Sequence, residues 1–195
     1  DTGQIRCAVP FDPKNEFLFQ IWDDDSSLLF IIWAAWLKRN RINLDPAHVE
    51  KAWSFVKAHI INDFHLTPAL PFCYWADTVQ FDTPERVAHN QGLYALAARA
   101  MLEHGWGSVV AADVDRARAR YVEFFRPDFG FMTLGKDSWW ADKFDISVLF
   151  PEFLLRWMYK ESALPDEVIR STVDRYVPLA SVTKQDKTLA GLKVI

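Results

Sequence analysis

Apolar residues recur at intervals of three and four along most of the chain, which is the spacing of one face of a helix. The first such stretch follows Ser26-Ser27 and ends at Lys38-Arg39, where positive charge suits the carboxyl end of the helix dipole. The second begins at Asp45-Pro46, a capping residue followed by a proline at the first helical position. These signals predict two helices joined by a short link.

Four further helices are predicted downstream, and no stretch has the pattern of a convincing strand. Their expected positions are residues 83–103, 113–125, 146–160 and 165–176. Gly105 is expected to end the first of these four, because glycine readily adopts the left-handed conformation at which helices stop. Helices in three successive pairs are typical of helical hairpins, as in solenoids and α/α toroids. The expected fold is therefore all-α.

Two long loops interrupt the helices, over residues 65–83 and 126–145, and residues 1–25 and 177–195 lack periodicity. Loops of about 20 residues in a compact domain are usually functional or disordered. Both loops are aromatic and acidic, which disfavours disorder. They are therefore the first places to look for functional residues.

Composition and charge exclude several classes of protein. The 195 residues are 50% hydrophobic, which is ample for a core and excludes disorder as the dominant state. A net charge of −4 with 22 basic residues argues against a nucleic-acid partner. The longest apolar run, residues 28–37, is about half of what crosses a bilayer, so no membrane partner is expected.

The cysteines favour a reducing compartment. Cys7 and Cys73 fit two free buried thiols better than one bridge, so we expect a cytoplasmic protein. They lack the spacing of metal ligands, and Asn62-Asp63-Phe64-His65 offers too few ligands for a metal site. No glycine-rich phosphate loop is present. We therefore expect neither a metal nor a cofactor.

Tryptophan is the compositional anomaly, with nine residues in a chain that has only seven glycines. Such an excess indicates a large core or a site that stacks flat ligands such as sugars. Three carboxylates follow Trp22 directly before the first helix, at residues 23–25. One carboxylate is enough to cap a helix. The others fit a sugar site, in which carboxylates accept hydrogen bonds from hydroxyls and Trp22 covers an apolar sugar face.

The first long loop offers a candidate acid. Asp77 lies between Trp75 and Phe81, and aromatic surroundings disfavour the charged form of a carboxyl, as a general acid requires. The alternative is a solvated loop aspartate in an Asx-turn. In the second loop, Trp139 and Trp140 form either a sugar platform or a hydrophobic plug. His89-Asn90-Gln91, on the helix after the first loop, faces either a site mouth or solvent.

Four segments in this order resemble the amylo-α-1,6-glucosidase domain of glycogen-debranching enzymes. Residues 19–30 resemble the family's helix start, V-D-A-S-L-W-F, with Asp25 at its aspartate. Residues 75–94 resemble the W-M-D-A, T-P-R and V-E-I-N-A-L-W-Y motifs in turn. Residues 145–151 resemble R-P-N-Q-I-F-A-L-S-L-P, and residues 189–193 resemble P-Y-G-L-R. There are departures, since Ala88 replaces a family carboxylate and the asparagine and glutamine of R-P-N-Q are absent.

The resemblance implies a six-hairpin α/α toroid, of which this length supplies about three hairpins, or half. Residues 1–195 would then be a single all-α domain from the middle part of a larger catalytic domain. In the family, the aspartate matched by Asp77 is the catalytic general acid and the reaction inverts the anomeric centre. The family's second catalytic carboxylate follows the segment that resembles residues 189–193, so we expect the base outside this chain.

The sequence thus predicts a glycoside hydrolase, exo-acting on α-glucosidic or similar linkages, with a carbohydrate partner and Asp77 as its acid. The expected substrate contacts are aromatic or acidic residues of the matched segments: Trp22, Asp25, Trp75, Trp139 and Trp140. The alternative is a non-catalytic all-α scaffold or interaction module. Half a toroid also exposes apolar hairpin faces, so self-association is expected. Convergence of Asp77, Asp25 and the tryptophan pair on one concave face would favour the enzyme.

Overall fold

A computed structural model of the protein describes residues 3–5, 24–69, 81–183 and 189–192. It is 60% helical and 11% strand, which confirms the mostly helical character expected from the periodicity. The described α-helices are α1 (Asp25–Arg39), α2 (Pro46–Ala58), α3 (Ala88–His104), α4 (Ala111–Val122), α5 (Phe150–Tyr159) and α6 (Asp166–Ala180). Two 3₁₀ helices span Trp139–Asp142 and Ile146–Leu149.

The ends of several helices lie where the sequence signals place them. The Asp45 side chain accepts a hydrogen bond from the Ala47 backbone N–H at 3.0 Å and so caps α2. Gly105 ends α3 with φ of 63°, which is the left-handed conformation expected there. Asp145 caps the second 3₁₀ helix, since its carboxylate accepts from the Ser147 N–H at 2.7 Å.

The prediction that the chain has no strand is wrong. Seven short strands form three small antiparallel sheets, with the order β1-β2-β3 in one, β4-β5 in the second and β6-β7 in the third. Their bounds are β1 (Ile60–Ile61), β2 (Phe64–Thr67), β3 (Glu85–Arg86), β4 (Phe125–Arg126), β5 (Phe131–Met132), β6 (Ser181–Thr183) and β7 (Leu189–Leu192). Segments of two to four residues are too short to show an alternating pattern.

Strand pairing also moves two predicted boundaries. The helix expected from residue 83 begins at Ala88, because Arg86 pairs with Leu66 and the Ala88 N–H donates to the Leu134 carbonyl at 2.9 Å. Residues 177–195 are not irregular throughout, since α6 extends to Ala180 and β6 pairs with β7. At the start of α3, hydrogen bonds to residues distant in the chain decide the structure, and local propensity does not contain them.

Helix α3 lies at the centre of the described structure. Most of its residues are buried, and it packs against α1, α4 and α5, while α2 packs against α1. Gly92 lets α4 and α5 pack closely against α3, because a Cβ at this position would lie 2.6 Å from Pro151 Cβ and 2.9 Å from Tyr121 Cε2. The core is thus built around one helix with small residues on its contact faces.

Helices α1, α3 and α5 run parallel, since their carboxyl ends lie together and their amino ends lie together. At the carboxyl ends, the Arg39 guanidinium donates to Glu103 Oε1 at 3.0 Å and to the Met158 carbonyl. At the amino ends, Asp25, His89 and Ser147 are neighbours. The first two helix pairs pack as hairpins, and α6 packs mainly on β5. Within the described residues, no helix is long and apolar enough to span a membrane.

Candidate functional site

The amino-terminal ends of α1, α3 and α5 bring an aspartate and a histidine together. Asp25 is the first residue of α1 and His89 is the second residue of α3. Asp25 Oδ2 lies 3.5 Å from His89 Nε2. Each residue is only 3% exposed, so the pair lies largely out of solvent. Parallel packing of the two helices fixes this contact, because both residues sit in the first turn.

A backbone carbonyl sets the proton positions on His89. The Ser147 carbonyl lies 3.0 Å from His89 Nδ1, and a carbonyl only accepts, so Nδ1 carries a proton. This leaves Nε2 facing the Asp25 carboxylate. A proton placed between Nε2 and Oδ2 satisfies both atoms.

A pocket of about 520 Å³ opens above this pair. Its walls are mostly apolar: Leu29, Ile146, Leu149, Phe150 and Phe153, with Asp25, His89 and Ser147 as the polar members. The Phe150 ring stacks on the His89 ring with 5.9 Å between centroids and 10° between planes. Exposure rises to 40% at Phe150 and 63% at Phe153. The pocket therefore has a buried polar floor and an exposed aromatic rim.

A second aspartate–histidine pair lies beside the first and is fully buried. Asp24 Oδ2 lies 3.5 Å from His65 Nε2. The Asn90 side-chain amide donates to Asp24 Oδ2 at 3.3 Å and to Thr67 Oγ1 at 2.8 Å. Asp24 occupies the N-cap position of α1, yet its side chain makes no capping hydrogen bond. Its carboxyl serves the buried network instead of the helix end.

Burial disfavours the charged forms of both residues in this second pair. Desolvation, followed by the charge of Asp25, raises the pKa of Asp24 well above its ordinary value, although the Asn90 hydrogen bond opposes the shift. Desolvation, followed by the charge of His59, lowers the pKa of His65 to about 3, against a smaller opposing effect of Asp25. A neutral Asp24 next to Asp25 spares the site the cost of two adjacent buried carboxylates.

The structure describes only part of the site expected from the sequence. Trp22, Trp75 and Asp77 lie outside the described residues. Asp25 lines the pocket, as a substrate contact must. Trp139 and Trp140 are not among the residues that line it.

The tryptophan pair occupies another part of the surface. Trp140 packs edge-on against Phe81 with 5.5 Å between ring centroids, in a small cluster with Val87 and Leu134. A Cβ on Gly135 would lie 2.6 Å from Trp140 Cβ, so this contact needs a glycine. Trp139 is 66% exposed. Trp140 thus acts as a hydrophobic plug, while the Trp139 ring is covered in part by the Lys143 ammonium, 4.3 Å from its centroid.

Other carboxylates of the second loop and α5 are engaged elsewhere. Asp137 pairs with Arg86, and Asp142 pairs with Lys143 at 2.8 Å. Glu152 is buried and accepts hydrogen bonds, among others, from the backbone N–H groups of Ala163 at 2.9 Å and Leu164 at 3.2 Å. None of these three lines the pocket. Among the described carboxylates of this region, Asp25 is the one placed to meet a ligand there.

Sequence reasoning left the role of residues 89–91 open and missed the aromatic rim. His89 reaches the pocket, while Asn90 and Gln91 are buried in hydrogen-bond networks. The signal for the rim was the amphipathic pattern of α5, which places Phe150 and Phe153 one turn apart on an exposed face. A strongly exposed pair of aromatic residues in a helix is a sign of a binding surface.

The described residues contain no group of three or more histidine, cysteine, aspartate or glutamate side chains that could hold a metal ion. No protein-family model, curated protein or solved structure matches the chain. The resemblance to amylo-α-1,6-glucosidase domains accordingly rests on the sequence motifs alone.

Proposed function

We propose that this chain carries the sugar-binding part of a glycoside hydrolase that is exo-acting on α-glucosidic or similar linkages. The observation that supports the proposal is the pocket at the amino ends of α1, α3 and α5. It combines a buried carboxylate, Asp25, with an aromatic wall, Phe150, above it. Carboxylates bind sugar hydroxyls and aromatic rings cover the apolar faces of sugars.

Each residue then has a distinct role in an inverting mechanism. Asp25 accepts hydrogen bonds from hydroxyls of the bound sugar, and His89 holds Asp25 in place through their 3.5 Å contact. Asp77, matched to the family's acid, protonates the leaving oxygen. Activation of water needs a further carboxylate, and the described carboxylates of the second loop and α5 do not line the pocket. We expect the 195-residue chain to bind glycosides without turning them over at an enzyme-like rate.

Calorimetry with methyl α-glucoside tests the proposal directly. Asp25→Asn should weaken binding at least about tenfold, because hydrogen bonds to a charged group contribute about 1.5–3 kcal/mol. Asp115→Asn is the matched control, since Asp115 is exposed on α4 and does not line the pocket. Absence of binding by the wild-type chain, or equal affinity in Asp25→Asn, would reject the proposal.

The acid and the binding carboxylate can be separated wherever turnover is measurable. Asp77→Asn should lower kcat by about 10²–10⁴-fold, because its amide cannot donate the proton. Glucosyl fluoride needs little protonation and should restore that rate. Asp25→Asn should raise KM and resist the same rescue, because binding itself is lost. Equal rescue of both variants would show that the acid is assigned wrongly.

A second candidate function is a self-associating scaffold, and one observation favours it. Helices α1 and α5 expose Trp33, Trp36 and Trp157, and the last two rings stack with 6.4 Å between centroids. Exposed aromatic residues on neighbouring helices suit an isologous contact with a second copy of the chain. Light scattering should then report a dimer that Trp33→Ser with Trp157→Ser converts to a monomer. A wild-type monomer would exclude this function.

A further inference from the structure

The pocket changes character with depth. Helix α1 places Asp25 at the floor and Leu29 one turn above it. Helix α5 places Phe150 and Phe153 at the rim, one turn apart on the same face. Above the floor, every side chain that lines the pocket among the described residues is apolar.

An apolar rim is poorly suited to a second sugar ring. A glucose unit in that position presents hydroxyl groups around its edge, and these need hydrogen-bond partners when they leave water. Leu29, Leu149 and Phe153 offer no polar side-chain atoms. A flat apolar ring loses nothing in such surroundings and gains from contact with Phe150 and Phe153.

We propose that the rim of this pocket binds an aromatic aglycone, so that the preferred substrates are aryl glucosides and not glucans. The inference rests on the proposed function, because it assumes a sugar bound at Asp25. The sugar occupies the floor with its hydroxyls on Asp25 and its apolar face towards Phe150, and the aglycone ring lies further out, between Leu29 and Phe153. This arrangement also gives Phe153, which is 63% exposed, a partner in the complex.

Calorimetry with three ligands tests the inference on the intact chain: phenyl α-glucoside, methyl α-glucoside and maltose. They share the glucosyl unit and differ in the group at the rim. Phenyl α-glucoside should bind at least about tenfold more tightly than maltose. This ratio corresponds to a difference of about 1.4 kcal/mol in binding free energy. Methyl α-glucoside should resemble maltose, because neither fills the rim with an aromatic ring.

Two variants locate the effect. Phe153→Ala should weaken binding of phenyl α-glucoside at least about fivefold and leave methyl α-glucoside unchanged. Trp33→Ala is the matched control, because Trp33 is 52% exposed on α1 and does not line the pocket. It should leave both affinities unchanged. Both residues are exposed, so neither substitution removes a core contact.

The outcomes separate this inference from the function on which it rests. If methyl α-glucoside and maltose bind as tightly as phenyl α-glucoside, the aryl preference is wrong and the sugar site stands. Equal losses in Phe153→Ala and Trp33→Ala would also overturn the aryl preference. If no glucoside binds, or if phenol binds as tightly as phenyl α-glucoside, the proposed function fails and takes the inference with it.

Discussion

Asp24→Asn should make the protein increasingly more stable than the wild type as the pH rises. In the folded chain, burial and the neighbouring Asp25 raise the pKa of Asp24 well above 3.8, so the carboxyl holds its proton there. The unfolded chain releases that proton above about pH 4. The wild type therefore loses stability as the pH rises towards the folded pKa of Asp24, and an asparagine, which has no proton to release, avoids this loss.

The size of the effect follows from linkage. The advantage of Asp24→Asn should grow by about 1.4 kcal/mol for each pH unit between 3.8 and the raised pKa, and then remain constant. The lowered pKa of His65, about 3, acts in the opposite direction. It costs stability as the pH falls from 6.5 towards 3, but it is shared by both proteins and cancels in their difference. Asparagine also keeps an oxygen that can accept the hydrogen bond from the Asn90 amide.

Urea unfolding, followed by tryptophan fluorescence at pH 4, 5, 6, 7 and 8, measures this difference from the start of the window in which it should grow. Asp115→Asn serves as the control, because its exposed side chain is in water in both states. It should change the free energy of unfolding by the same small amount at each pH. A difference between Asp24→Asn and wild type that stays flat, or falls with pH, would refute the reasoning. It would mean that folding does not raise the pKa of Asp24.

Two further substitutions test the packing that holds the site. Glu152→Ala should lower the free energy of unfolding in urea by about 3 kcal/mol, because the backbone N–H groups of Ala163 and Leu164 lose their hydrogen-bond acceptor. The exposed control, Glu167→Ala, should lower it by less than about 0.5 kcal/mol. Equal losses would contradict the role given to Glu152. Gly92→Ala should cost about 2 kcal/mol despite better helix propensity, because the new methyl group meets Pro151 at 2.6 Å. Gly105→Ala, with open space around it, should cost only about 1 kcal/mol for its left-handed backbone, and the reverse order would show that the helix contact at Gly92 is loose.

The helices were predictable because their signals are local. The cap at Asp45, the basic end of α1 and the glycine stop at Gly105 all act within one turn of the chain. The pairing of β2 with β3 was not predictable, because the two strands are distant in the chain. Arg86 is extended because it pairs with Leu66, and no property of residues 83–88 alone contains that pairing.

The residues of the candidate site also differ in whether their signals are local in the sequence. Asp25 could be singled out because a surplus of carboxylates before a helix is unusual in sequence. His89 could be noted but not assigned, because its role depends on Asp25 and on the Ser147 carbonyl, which are distant in the chain. The amphipathic pattern of α5 was the one signal for Phe153, and it does not by itself tell whether the aromatic face is core or surface. Only the packing of α5 shows that this ring is exposed.

Chemical-shift mapping with methyl α-glucoside tests the central claim, that the amino ends of α1, α3 and α5 bind a sugar. In the ¹⁵N-labelled chain, the largest chemical-shift changes should fall on backbone amides of Asp25, His89 and residues 146–153. Asp25→Asn should abolish these changes. Changes confined to the face formed by Trp33, Trp36 and Trp157, or no changes at saturating sugar, would contradict the account.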